Sequence, residues 1–275
     1  MRREDYEAID AINWSTLKVL GKSPAHYLHL LTAGQSEDTD ARQRGRVLHL
    51  AIFEPEKYAR EVVVYHEKRA GKAWEAFAEK HAGKEIITSR MAETVVAISA
   101  SARGNPMSAK YLAGGLPEKT IRWRYESPPV AHVDGFGFDC KGRLDFVADC
   151  GAIVDLKSTR DASPTGFGRE VLKWEYHGQL AYYHDGYLAM TGVDLPVVIV
   201  AVESVAPYVV QVYRVPDEVL ELGRERYQQL LAHLNVCRRA SKWPGYAESE
   251  LSLELPRWAR PLEDEEVDSE LVFSE

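Results

Sequence analysis

Cysteine is scarce in this chain: three residues, Cys140, Cys150 and Cys237, in a total of 275. An odd number without Cys-x-x-Cys or Cys/His spacing suggests neither a disulfide framework nor a zinc or iron–sulfur site. Long apolar runs are missing too. The longest strongly apolar stretch, VVIVAV at 197–202, is far too short to cross a bilayer, and the opening MRREDYEAID has no apolar signal core. The expectation is a soluble, unexported protein of a reducing cytoplasm, with no membrane partner. There is no GxxxxGK[ST] loop, which excludes a phosphate-loop nucleotide motor, and no internal repeat or low-complexity block.

A basic excess is also lacking, since the formal charge is −8. Its location matters more than its sum. Residues 247–275 carry ten acids against Arg257 and Arg260, which is the whole of the −8. The remaining chain is neutral, which neither requires nor forbids a local basic groove. We therefore expect an acidic, loosely packed tail over 247–275 behind one decorated domain over 1–246. With 45% apolar and 10% aromatic residues, such a chain can bury a full core.

INWSTLKVLGKSPAHYLHLL reads as two short helices, with Asn13 or Ser15 capping the first, Gly21 breaking it, and Ser23-Pro24 opening the second. QSEDTDAR is a polar link. RGRVLHLAIFEPEKYAREV follows as a helix containing His49, with Pro55 as its expected stop. Residues 72–112 read as further helix, broken at 104–106. From Lys119 the period becomes alternating, with Ile121, Trp123 and Tyr125 between Arg122 and Arg124, and marks a strand. PPVAHVDGFGF is a turn-rich connection. A hairpin, a long helix over 168–191, strands in VVIVAVES and YVVQVYRV, and a final helix near Pro216 complete the order. This is an α/β layer arrangement with a mixed sheet, helical over 1–117 and sheet-containing over 118–246.

The hairpin GRLDFVADCGAIVDLKST, 142–159, carries the chemistry. A three-residue loop Asp149-Cys150-Gly151, with glycine third, centres the register on Cys150. Asp145 then lies opposite Asp155, and cross-strand partners share a face. Lys157 joins them, with Arg143. Leu144, Phe146, Ala148, Ala152, Val154 and Leu156 form the other, apolar face. Opposed carboxylates repel and raise each other's pKa unless a cation compensates. Mg²⁺ suits one or two carboxylates plus water and phosphate, and the main-chain carbonyl of Leu156 could add an oxygen. A nearby lysine can orient a water and neutralise charge developing on phosphorus, so the set suits metal-assisted phosphodiester hydrolysis. The alternative is a solvated face whose charges pair across the strands, each pair worth under about 1 kcal/mol.

Asp145, a short turn and Asp155-Leu156-Lys157 resemble the PD-(D/E)xK nuclease superfamily, although no proline precedes Asp145. RGRVLH resembles the GxxxH helix, and QLAYY at 179–183 the QxxxY helix, of its RecB-like branch. Over roughly residues 12–240 the order of segments is similar to the exonuclease VIII family of phage and prophage recombination nucleases. The resemblance implies a restriction-endonuclease-like core with a central mixed sheet flanked by helices and helical N-terminal additions. It implies that Asp145 and Asp155 bind metal, that Lys157 is catalytic, and that His49 is a further ligand. Without it, His49 reads as a helix histidine satisfied by a carbonyl. Gln179 and Tyr183 are implied to contact DNA or brace the site, with packing alone as the rival reading.

Glu118 matches either another acidic position of that family or a solvated strand end. Trp14, Tyr27 and Trp174 read as packing aromatics, and His177 and His184 carry no assigned role. The activity implied is Mg²⁺-dependent degradation of double-stranded DNA from its ends, 5′ to 3′, with Mn²⁺ able to substitute. It would expose 3′ single strands for a single-strand annealing protein, in a homo-oligomer within a bacterial cytoplasm. An endonuclease of the same superfamily, or an inactive DNA-binding scaffold, are the alternatives.

Overall fold

A computed structural model of the protein describes residues 3–33, 39–129 and 134–256. The N-terminal part runs α1 (Arg3–Glu7), α2 (Trp14–Leu20), α3 (Pro24–Ala33), α4 (Asp40–Phe53), α5 (Pro55–Glu61), β1 (Val62–Tyr65), α6 (Gly71–Lys80), β2 (Glu85–Thr88), α7 (Ser89–Gly104) and α8 (Pro106–Leu112). Then follow β3 (Gly115–Ser127), β4 (Phe136–Ala148), β5 (Ala152–Thr159), α9 (Pro164–Lys173), α10 (Tyr176–Thr191), β6 (Val197–Glu203), β7 (Val210–Arg214) and α11 (Asp217–Ala240). The start signals act as polar side chains at helix ends should: Asn13 accepts the Thr16 N–H at 2.9 Å and Thr39 accepts that of Arg42 at 3.2 Å.

The main sheet has the order β3-β4-β5-β6-β7. β5 pairs with β6 in parallel and every other neighbour is antiparallel, which makes the mixed sheet expected from the alternating period. Gly151 closes the β4–β5 turn with φ +81° and its N–H on the Ala148 carbonyl at 2.9 Å, the left-handed place that glycine fills without a Cβ penalty. The paired residues Phe146↔Val154, Val147↔Ile153 and Ala148↔Ala152 centre on Cys150.

Helices cover both faces of the sheet. One core joins Trp14 and Leu17 of α2, Phe167 of α9, Leu180 and Tyr182 of α10 and Leu231 and Leu234 of α11 to Ile121, Cys140 and Ile199. The other joins Val47, Leu48 and Ile52 of α4 and Val95 and Ile98 of α7 to Phe146, Val154, Leu156, Val198 and Val200. β6 alternates between these two cores and is buried on both sides, as a central strand with a parallel neighbour must be.

Several expectations change. α4 ends at Phe53, just before Pro55, as expected, but Pro55 also opens a further helix, α5, at its first turn, where a missing N–H costs nothing. β1 and β2, a parallel pair joined through α6, are strands that the sequence reading lacks: β2 lies inside the 72–112 stretch that reads as helix, and β1 begins where the RGRVLHLAIFEPEKYAREV segment ends. Four residues are too few for a period of two to outweigh the helical pattern around them. The 168–191 helix is two helices, because Glu175 takes a left-handed conformation (φ +56°) and ends α9 before α10 begins.

The hairpin's charged face is not solvated, since Val147 and Ile153 beside the acids are buried and Asp155 is 3% exposed. Nor do Leu144 and Phe146 share a core: Leu144 packs with α10 and Phe146 with α4 and α7. β4 turns over between them, at Asp145, where the backbone pairing with β3 passes from Lys119↔Leu144 to Pro117↔Phe146 across Glu118, itself at φ +50°. Of the connection at 128–138 and the acidic tail, residues 130–133 and 257–275 lie outside the described residues.

Candidate active site

The turn-over of β4 places Asp145 where the two layers meet. Backbone pairing of β4 with β5 reaches Phe146↔Val154 and gives way, at the next pair, to a side chain: the Leu156 N–H donates to Asp145 Oδ2 at 2.9 Å. Continuing the register sets Asp145 opposite Asp155. The N–H and C=O of one strand residue point to the same edge, so the Leu156 carbonyl turns towards Asp145 as well.

From α4, His49 Nδ1 comes within 3.5 Å of Asp145 Oδ1. On β5, Lys157 Nζ lies 2.5 Å from Asp155 Oδ2 and donates to Gln179 Oε1 at 3.2 Å. The same ammonium sits 4.6 Å over the Tyr176 ring, so Tyr176 and Gln179, three apart on α10, grip one lysine. Tyr183, one turn beyond Gln179, packs over Gly142, where an added Cβ would meet its ring at 3.0 Å. The structure thus brings Asp145, Asp155, Lys157, His49 and Gln179 together, with Tyr183 behind them.

Sequence reasoning missed Tyr176, although its i, i+3 spacing to Gln179 was the available signal. Glu118 belongs here too: it faces Asp145 across β3 and β4, and Arg143 Nη1 lies 3.3 Å from its carboxylate. His49, Glu118 and Arg143 line one cleft of about 510 Å³ with Arg46 and Lys57. His177 and His184 stand apart from it, His184 held between Asp185 (3.0 Å) and Asp194 (2.9 Å). Trp14 and Tyr27 are core residues, whereas Trp174, expected to pack, is 48% exposed. Its ring lies 4.8 Å under the ammonium of the preceding Lys173.

Burial raises the Asp145 pKa; His49 and Lys157 oppose that rise, and repulsion from Asp155 adds to it. Burial would lower Lys157, but the carboxylates of Asp155 and Asp145 outweigh it and hold the ammonium above its usual range. Glu118 is raised by burial and by Asp145, against the pull of His49 and Arg143. Ionised carboxylates are therefore expensive here, and the lysine offsets only part of that cost.

Among the described residues no three His, Cys, Asp or Glu side chains converge into a metal cage. Mg²⁺ needs none, because it keeps several waters and typically takes one or two carboxylates. Asp155 Oδ2 is buried against the Lys157 ammonium at 2.5 Å and, among the described residues, meets no backbone, amide or hydroxyl donor. A buried carboxylate oxygen left this way is costly. With Asp145, the Leu156 carbonyl and His49 beside it, this hard, oxygen-rich donor set fits a divalent cation.

Residues 13–253 match the PDDEXK-like domain of unknown function DUF3799. The chain belongs to this PDDEXK-like family. It is accordingly a member of the PD-(D/E)xK nuclease superfamily, with the mixed α/β core that the sequence predicts. No curated protein matches the chain significantly. Among solved structures, a crystal structure of a "Putative exonuclease" from Eubacterium rectale is 14% identical with a TM-score of 0.63, covering 93% of this chain and 95% of its own, a likeness of fold. The crystal structure of SSO0001, 13% identical over 78% of this chain and 85% of its own, reaches a TM-score of 0.29. α1, whose Tyr6 lies 4.8 Å under the Arg143 guanidinium, precedes the residues matched by the PDDEXK-like family.

Proposed function

We propose that this PDDEXK-like protein is a Mg²⁺-dependent exodeoxyribonuclease that degrades double-stranded DNA from its ends. The observation that carries the reading is the meeting of Asp145, Asp155 and Lys157, with His49, at the opened end of the β4–β5 ladder. Asp145, Asp155, the Leu156 carbonyl and His49 would hold the cation. Once bound, it would polarise the scissile phosphate, and Mn²⁺ would serve in its place. Lys157, held by Gln179 and by the Tyr176 face, orients the attacking water and offsets charge developing on phosphorus. The 2.5 Å pair with Asp155 keeps that ammonium charged.

Attack at ends, 5′ to 3′ polarity, a single-strand annealing partner, a homo-oligomer and a bacterial cytoplasmic setting rest on the resemblance to the exonuclease VIII family. The neighbouring fold that bears the name exonuclease supports the same choice. One nuclease domain over 1–246, with the acidic tail apart from it, belongs to this reading.

The test compares linear with covalently closed circular duplex, with 5′ or 3′ label, in Mg²⁺ or EDTA. Linear DNA should be consumed from the 5′ label in Mg²⁺ alone, and Asp155→Ala should be inactive. Equal cutting of closed circles would make the protein an endonuclease. Intact linear DNA, or Asp155→Ala at the wild-type rate, would overturn the catalytic reading.

A further inference from the structure

Lys18 lies in the INWSTLKVLGKSPAHYLHLL segment, where the sequence reading gives it no role, and α2 carries it to the end of α10 that holds the catalytic lysine. α2 packs on the start of α10: an added Cβ on Gly178 would lie 2.2 Å from the Trp14 ring. Lys18 is one turn on from Trp14, on the same side of α2, and Glu175 precedes Gly178 by three residues. Gly21, at the far end of α2, meets Arg226, which holds Glu175 at the start of α10, so the two helices run in opposite senses and Lys18, on the stripe between Trp14 and Gly21, is set by the Glu175–Tyr176 corner. That corner carries the ring over which the Lys157 ammonium sits.

Glu175, the acid that α10 itself carries at this corner, is already committed. Arg226 donates from Nε to Glu175 Oε1 at 2.6 Å, and its Nη2 is 2.5 Å from the same oxygen. The guanidinium also presses on Gly21 at the end of α2, where an added Cβ would meet Nη2 at 2.2 Å. It thus stands between the C-terminal turn of α2 and Glu175. Among the described residues no carboxylate lies within ion-pair distance of Lys18, which is half-buried. Burial lowers its pKa, with Glu175 pulling it up and Lys157 pushing it down. Two ammonium groups in each other's field, with the nearest spare acid taken by a third cation, make a rim that wants an anion.

Resting on the nuclease reading above, we propose that Lys18 binds a phosphate of the DNA strand neighbouring the one that is cleaved. A phosphate there relieves the repulsion between Lys18 and Lys157 and fixes the register of the strand without reading its sequence. The contact is made equally before and during cleavage, so its loss acts on binding rather than on the chemical step.

The experiment measures binding of a fluorescein-labelled duplex by anisotropy in EDTA over a range of KCl, for wild type, Lys18→Gln and Lys18→Arg. Cleavage of unlabelled linear duplex in Mg²⁺ is followed alongside. Losing one phosphate contact should lower the slope of log affinity against log salt by about 0.9. KM should rise on the order of tenfold in Lys18→Gln with kcat little changed, and Lys18→Arg should restore both. An unchanged salt slope in Lys18→Gln, or a fall in kcat with KM unmoved, would overturn the proposal. A lysine that merely packs its stem on Trp14 would lower the melting temperature and leave the slope alone. Wild-type degradation of DNA with an unaltered Lys18→Gln slope sinks this inference alone; an active Asp155→Ala sinks the nuclease reading instead.

Discussion

If the Asp145 carboxylate is held in place for a cation, then removing its charge should stabilise the cation-free protein while abolishing cleavage. Asp145 has a side chain 14% exposed, faces Asp155 and Glu118, and is opposed by His49 at 3.5 Å. Asp145→Asn keeps an oxygen for the Leu156 N–H. It removes the burial penalty and the repulsion of two acids, and gives up an ion pair worth about 0.2–1 kcal/mol. Neutralising a buried carboxylate whose folded pKa is raised relieves functional-site strain, a gain commonly of about 0.5–2 kcal/mol, so the net expectation is about 1 kcal/mol. For a chain of this size that is a melting temperature higher by about 2–4 °C.

The pH dependence follows from the direction of the shift. The folded pKa of Asp145 is raised above the unfolded value, so the folded state holds the proton more tightly. Wild type should lose stability as pH climbs from the unfolded value through the raised folded one, and the penalty is complete above it. Asp145→Asn should lack that loss. Melting in EDTA from pH 4 to 8, repeated in Mg²⁺, reads both effects. Mg²⁺ should raise the wild-type midpoint by mass action and move the variant far less. A variant that melts below wild type at neutral pH in EDTA, or that gains as much from Mg²⁺, would refute the reasoning.

Gln179→Leu frees Lys157 from its acceptor and should lower kcat by about tenfold or more with KM little changed, in steady-state digestion of linear duplex. Gly178→Ala drives a methyl into the Trp14 ring at 2.2 Å and should cost about 1–3 kcal/mol in urea unfolding. The pKa of His184 is raised by Asp185, against burial and with help from Asp194, so its contribution is whole below the unfolded value of about 6.5. That contribution is lost as pH rises through the folded pKa, by at most about 1.4 kcal/mol per pH unit. His184→Gln should remove the slope above pH 6.5 in melting curves while leaving cleavage unaffected.

Local signals carried the hairpin well. Turn chemistry at Asp149-Cys150-Gly151 and the alternating residues around it give the register directly, because both depend only on near neighbours. What escaped depends on distant neighbours. Val62–Tyr65 and Glu85–Thr88 form strands because each finds the other across α6, and neither is long enough to announce itself. That the charged face of 143–157 is covered stayed hidden, and a solvated face stayed open as the rival reading, because nothing in that stretch shows that α10 lies over it. Tyr176 enters the site through helix packing, which no spacing within the hairpin could report.

The position of Glu118 explains why the site forms where it does. A regular β4 would have kept Leu144, Phe146 and Ala148 on one side and pointed Asp145 into the α10 core with Val147. That would bury a carboxylate among Leu180 and Tyr182. The left-handed Glu118 and the turn-over at Asp145 instead send Leu144 and Phe146 to opposite cores, so that the residue between them faces the seam. At the seam the acid meets an imidazole from one layer and, through Asp155, a lysine held by the other. A non-glycine residue at positive φ is costly, on the order of 1 kcal/mol or more. Here that strain accompanies an opened ladder and carboxylates that gain least from the protein alone. The same irregularity that departs from the hydrophobic pattern is what turns a buried hairpin into a cleft able to receive a cation and a phosphate.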